Sequence, residues 1–239
     1  MRLLIGAALV FALFQWVATA LGSDRGQAGL LVGAIVVSAT LAAECLLFGT
    51  GLARAVRRLG FGAPRWRGAL AAGGAGALLL LVFPGYQALT GTSFEMYPGW
   101  GRLLPGLFAQ AGIAEEVLFR GYLFGHVREG RPFWRAAMVS CAPFVAVHLF
   151  MFLTLPWPIA LASVLLAAIL SFPLAYLFEL GDRTIWAPAF LHFIVQGAVK
   201  VIVPFEESPR FPLVWIAASA TLPFAVLLLP RRSEERKTS

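Results

Sequence analysis

Apolar residues run along this chain in blocks of about 20, separated by short polar or Pro/Gly-rich breaks, and a block of that length crosses a hydrocarbon core of roughly 30 Å as a helix. Eight such spans are predicted, at 3–22, 27–53, 69–90, 103–127, 136–155, 159–180, 185–203 and 213–229. The predicted fold class is all-α: a polytopic transmembrane helical bundle forming one membrane-embedded domain over 1–239. No internal repeat or linker marks a second domain.

Composition agrees with the pattern. The chain is 59% hydrophobic and 13% charged, with mean hydropathy +0.81, whereas a soluble domain is about 25% charged. The net charge of +7 does not point to nucleic acid, because the basic residues sit in short blocks between apolar runs. If successive spans alternate direction, the loops sort onto two sides. One side holds Arg2, the run Arg54 to Arg67, the cluster Arg128 to Arg135, Arg183 and the tail from Arg231 to Lys237; the other holds Arg25, Arg102 and Arg210. The positive-inside bias then puts both termini, including a basic tail at 230–239, in the cytoplasm. The first run ends in Ala18-Thr19-Ala20, which also fits a cleaved signal peptide. The short loops and the abundance of Ala, Gly and Arg point to a bacterial inner-membrane protein. Cys45 and Cys141 lie inside apolar runs without metal-type spacing and read as packing residues.

Ionisable residues inside spans are costly, at least ~2.5–3.5 kcal/mol each at mid-bilayer, and usually face a protein interior or a watery cavity. The fourth span reads Ala111-Gly112-Ile113-Ala114-Glu115-Glu116-Val117-Leu118-Phe119-Arg120. Glu116 and Arg120 are four apart and share a helical face, so an ion pair is expected. Glu115 points about 100° away and lacks that partner. The fifth span carries Phe144 and His148, and the seventh His192 and Gln196, each pair at i, i+4 spacing. At ~1.5 Å rise per residue, Glu115 and His148 both lie ~18 Å from the cytoplasmic ends of their spans, Gln196 ~16 Å and His192 ~10 Å. These groups can meet at one level as a general base with hydrogen-bond donors. Elsewhere, Glu44 is expected to hydrogen-bond between helices, Lys200 to snorkel to the outer interface, and His126 to sit at a cytoplasmic helix end. Pro105, Pro143, Pro173 and Pro188 are expected to bend their helices.

The series Glu115-Glu116-x-x-x-Arg120, Phe144-x-x-x-His148 and His192-x-x-x-Gln196 resembles the three motifs of the CAAX-processing and bacteriocin-processing (CPBP) endopeptidases, a family that includes abortive-infection proteins. The resemblance covers roughly 103–203, the expected catalytic core. It implies a glutamic intramembrane peptidase without a cofactor, in which Glu115 and His148 activate water, His192 and Gln196 stabilise the oxyanion, and Glu116 and Arg120 hold the helices. Family members usually carry Asn or Asp where this chain has Gln196. The implied partner is a membrane-associated protein or peptide, such as a prenylated tail, a bacteriocin leader or a C-terminal sorting anchor, and bacterial maturation or sorting is the preferred role.

Two other readings stay open. Glu115, His148 and His192 supply a His₂Glu set for zinc, although no H-E-x-x-H is present. The buried charges also suit a non-enzymatic scaffold, an immunity protein or a proton-coupled transporter. Serine and aspartyl intramembrane proteases fit less well: there is no Gly-x-Ser-Gly, and Glu179-Leu180-Gly181-Asp182 is not Gly-x-Gly-Asp.

Overall fold

The computed structural model describes residues 1–23 and 25–230, so most of the expected basic tail lies outside the described residues. Helices α1 (Arg2–Ala20) and α2 (Gly29–Phe48) pack as a hairpin, followed by a short α3 (Leu52–Arg58). Helix α4 (Trp66–Leu80) continues past Leu81 into α5 (Val82–Thr90). After β1 (Phe94–Met96) comes a long helical run: α6 (Trp100–Leu107), two π-helical stretches at Phe108–Ala114 and Val117–Phe124, and α7 (Gly125–Arg128). Helix α8 (Phe133–His148) tightens into a 3₁₀ turn at Leu149–Leu153, and α9 (Trp157–Leu180) returns. Helix α10 (Trp186–Val201), β2 (Ile202–Pro204), α11 (Phe211–Thr221) and a 3₁₀ segment at Leu222–Leu228 complete the chain.

Among the described residues six helices are long and apolar enough to span a membrane: Arg2–Ala20, Gly29–Phe48, Trp66–Thr90, Phe133–Leu153, Trp157–Leu180 and Phe211–Leu228. The protein is a multi-pass, all-α membrane bundle. The other two expected spans form its centre. The run from α6 to α7 carries the motif charges, and all eight residues of Val117–Phe124 are buried. Helix α10, 16 residues long, packs against α4, α6, α9 and the first π-helical stretch. Large apolar side chains such as Leu46, Leu89 and Leu228 point outward, as a lipid-facing surface requires. Exposed tryptophans mark helix ends on both sides, Trp66 and Trp134 at the arginine-rich end and Trp100 and Trp157 at the other, where such rings sit at the interface.

Some predicted boundaries shift. The span expected at 27–53 stops at Phe48, because Gly49 adopts φ +66 and caps the helix in the left-handed region open to glycine. The span expected to reach residue 203 ends at Val201, where Ile202–Pro204 pairs antiparallel with Phe94–Met96 as a two-stranded ribbon. Pairing satisfies backbone groups that both segments would otherwise present at the bundle end. Of the four prolines, Pro105, Pro143 and Pro173 lie inside helices, while Pro188 occupies the first turn of α10, where its missing N–H costs nothing.

Gly112 allows the two central helices to touch. A Cβ there would stand 2.8 Å from the Ala189 carbonyl oxygen of α10. This close approach brings the Glu115 region of one helix beside His192 and Gln196 of the other.

Candidate active site

Glu116 and Arg120 form the expected ion pair, Arg120 Nη1 donating to Glu116 Oε1 at 2.9 Å, with both side chains buried. The Arg120 guanidinium also lies 4.4 Å from the centroid of the Phe144 ring, so Phe144 ties α8 to this pair through a cation–π contact. The same Glu116 oxygen accepts from His192 Nδ1 at 2.6 Å. A carboxylate facing Nδ1 fixes the proton on that nitrogen and leaves Nε2 with its lone pair.

Gln196 joins the two central helices at the next step. Its Nε2 donates to His192 Nε2 at 2.7 Å and to Glu115 Oε1 at 3.2 Å, while Glu115 Oε2 lies 3.7 Å from His192 Nε2. The polar groups therefore form one chain, from Arg120 through Glu116, His192 and Gln196 to Glu115. The asymmetry expected between the two neighbouring acids is present in the geometry: Arg120 bonds Glu116, and Glu115 accepts from Gln196 of α10.

His148 reaches the site from α8. Its Nδ1 lies 2.7 Å from the Phe144 carbonyl oxygen, which can only accept, so Nδ1 carries the proton and Nε2 is left as a base. The Phe144 and His148 rings meet edge to face with centroids 4.7 Å apart, which orients the imidazole. Glu115, His148 and Gln196 all line one cavity of about 580 Å³. His192 stands behind them, buried against Glu116. Among the described residues, no three His, Cys, Asp or Glu side chains are gathered as a metal-binding group; both His192 nitrogens already face protein partners.

The cavity wall includes residues that the motif reading missed, Gln15 on α1 and Gln110 on the first π-helical stretch. Each is a carboxamide within an apolar run, which was the available signal. Lys200, expected to snorkel outward, also lines this cavity. Glu44 behaves as expected: buried, it receives Thr50 Oγ1 at 3.1 Å, meets His126 Nε2 at 2.7 Å, and joins α2 to α7 away from the cavity.

The multi-pass helical bundle thus brings an acid, two imidazoles and a carboxamide together in its interior. Residues 98–198 match the family model of type II CAAX prenyl endopeptidases, Rce1-like, consistent with the CPBP resemblance. The match spans 101 of the 239 residues, from the approach to α6 into α10. The curated proteins and the solved structures each yield no match.

Proposed function

We propose that this protein is a glutamate-dependent intramembrane endopeptidase that hydrolyses a peptide bond in or near the membrane segment of a protein substrate, in the maturation or sorting of bacterial proteins. The observation that carries the reading is the convergence of Glu115, His148 and Gln196 on one cavity, with His192 directly behind.

In this reading a water molecule lies between the Glu115 carboxylate and His148 Nε2, both of which can accept its proton. The water oxygen attacks the scissile carbonyl carbon as Glu115 takes the proton, and the carbonyl oxygen becomes an oxyanion. Gln196 swings its amide from Glu115 and His192 to that oxygen, which also frees His192 Nε2. His192 becomes a donor as well once the proton moves from Glu115 across the 3.7 Å gap to Nε2. The resulting imidazolium is compensated by Glu116 and faces the developing negative charge. Collapse of the intermediate breaks the C–N bond, and His192 gives the proton taken from water to the leaving amine. Glu116, with Arg120 and Phe144, holds His192 and α8 in register without touching substrate.

The reading is tested with purified protein in detergent and a panel of quenched fluorescent peptides carrying apolar segments. Glu115→Gln is expected to abolish turnover while leaving the melting temperature within a few degrees of the parent protein. Undiminished cleavage by Glu115→Gln would sink the assignment.

A further inference from the structure

The catalytic cavity has a polar wall with no part in the proton chemistry. On α1, Gln15 and Thr19 are four apart and both face the cavity, and Ser23 continues the stripe just past the helix end. Gln15 makes no hydrogen bond among the described residues. An amide within a membrane span usually bonds a neighbouring helix, and Gln15 instead turns its amide to the cavity.

Gln110 faces the same space for a different reason. Residues five apart lie about 140° from each other on an α-helix, which would turn Gln110 away from Glu115. The stretch Phe108–Ala114 is π-helical, and i→i+5 winding stacks residues five apart, so Gln110 and Glu115 share the cavity face. The Gln110 amide is also oriented. Ser23 Oγ accepts the Ala28 N–H at 3.2 Å and gives its own hydrogen to Gln110 Oε1 at 2.7 Å, which leaves the Gln110 NH₂ to the cavity.

The cavity opens at a definite end. Its exposed lining residues include Thr19, Thr154 and Leu155, at the end of α1 and in the connection to α9, and Lys200 near the end of α10 lies at the same level. That end is opposite the arginine-rich connections of α3 and α7.

We infer that Gln15 and Gln110 are substrate-positioning residues, holding the backbone of an extended peptide segment that enters from the face opposite the arginine-rich loops. A peptide bond is open to attack only where the helix is unwound, and an unwound segment in a dry bundle must find new partners for its N–H and C=O groups. Gln110 donates to a peptide carbonyl, and Gln15 accepts a peptide N–H. By the positive-inside bias that entry face is non-cytoplasmic. The inference deepens the peptidase reading above, but its test does not depend on cleavage.

Binding is measured by fluorescence anisotropy on the Glu115→Gln protein in detergent. The probe is a fluorescein-labelled twelve-residue Ala/Leu peptide with a central Pro-Gly break, compared with a copy N-methylated along its backbone. Gln15→Ala and Gln110→Ala are each expected to raise Kd roughly 3- to 10-fold for the parent peptide, the scale of one net hydrogen bond. With the N-methylated peptide the Gln15→Ala effect disappears and the Gln110→Ala effect persists. Separately, Thr19→Cys and Thr154→Cys, in a Cys45→Ala/Cys141→Ala background, are labelled by a membrane-impermeant maleimide added to intact cells. Unchanged Kd in the double Gln variant, no binding of the parent peptide, or labelling only after cell disruption overturns the inference. Failure of the peptidase reading appears instead as an inert wild-type protein whose binding and labelling behave as stated.

Discussion

His192 Nδ1 and Glu116 Oε1 lie 2.6 Å apart, so the residue paired with Arg120 also sets the tautomer of the imidazole nearest Glu115. One buried carboxylate thereby connects the ion pair to the cavity, and the two acids at adjacent positions take different partners.

Removing Glu116 strands the buried Arg120 guanidinium, and breaking such a pair costs about 3–5 kcal/mol. Glu116→Ala is therefore expected to lower stability on that scale, read as the unfolding midpoint in detergent, whereas Glu115→Gln shifts it by less than about 1 kcal/mol because Gln retains the bond with Gln196. Equal losses for the two variants would contradict the division of roles.

Gln196 bridges partners at 2.7 and 3.2 Å through the two hydrogens of its amide nitrogen. Asparagine, one methylene shorter, reaches one of them at a time. Gln196→Asn is expected to reduce kcat about tenfold, and Gln196→Ala about 10² to 10³-fold, as for loss of an oxyanion donor. Steady-state kinetics on a cleaved peptide decide the point, and full activity of the Ala variant would remove Gln196 from the mechanism.

A side chain at Gly112 would press on the Ala189 carbonyl and push α10 from the helix that carries Glu115. Gly112→Val is expected to cost about 1–3 kcal/mol, as overpacking does, and to depress kcat/KM by more than that loss of folded protein accounts for. Comparison of activity per folded molecule, counted by thermal unfolding, provides the check.

The metal-free mechanism predicts that turnover survives prolonged treatment with 1,10-phenanthroline and EDTA. Inactivation by the chelator, reversed by added zinc, would instead support the His₂Glu alternative at Glu115, His148 and His192.

Glu44 supplies a control remote from the chemistry. It is fully buried between His126, Thr50 and Arg58, so Glu44→Ala is expected to destabilise by about 3–5 kcal/mol while leaving kcat/KM per folded molecule unchanged. A selective loss of activity would tie this cluster to catalysis.

The spans and the local pairs were legible in the sequence because each depends on short-range periodicity. Apolar blocks of bilayer length define helices, and spacings of four put Glu116 beside Arg120, Phe144 beside His148 and His192 beside Gln196. Contacts between helices were not legible. The Glu116 to His192 bond joins residues 76 apart in sequence, and α1 became a cavity wall through packing that no spacing encodes. Gln110 was hidden for a sharper reason: reading the chain at 3.6 residues per turn rotates it away from Glu115, and only the π-helical winding of the folded bundle turns it back. The chain alone specified an all-α bundle of apolar helices and which of its segments carry the charges; helix-to-helix packing decided which of those charges meet.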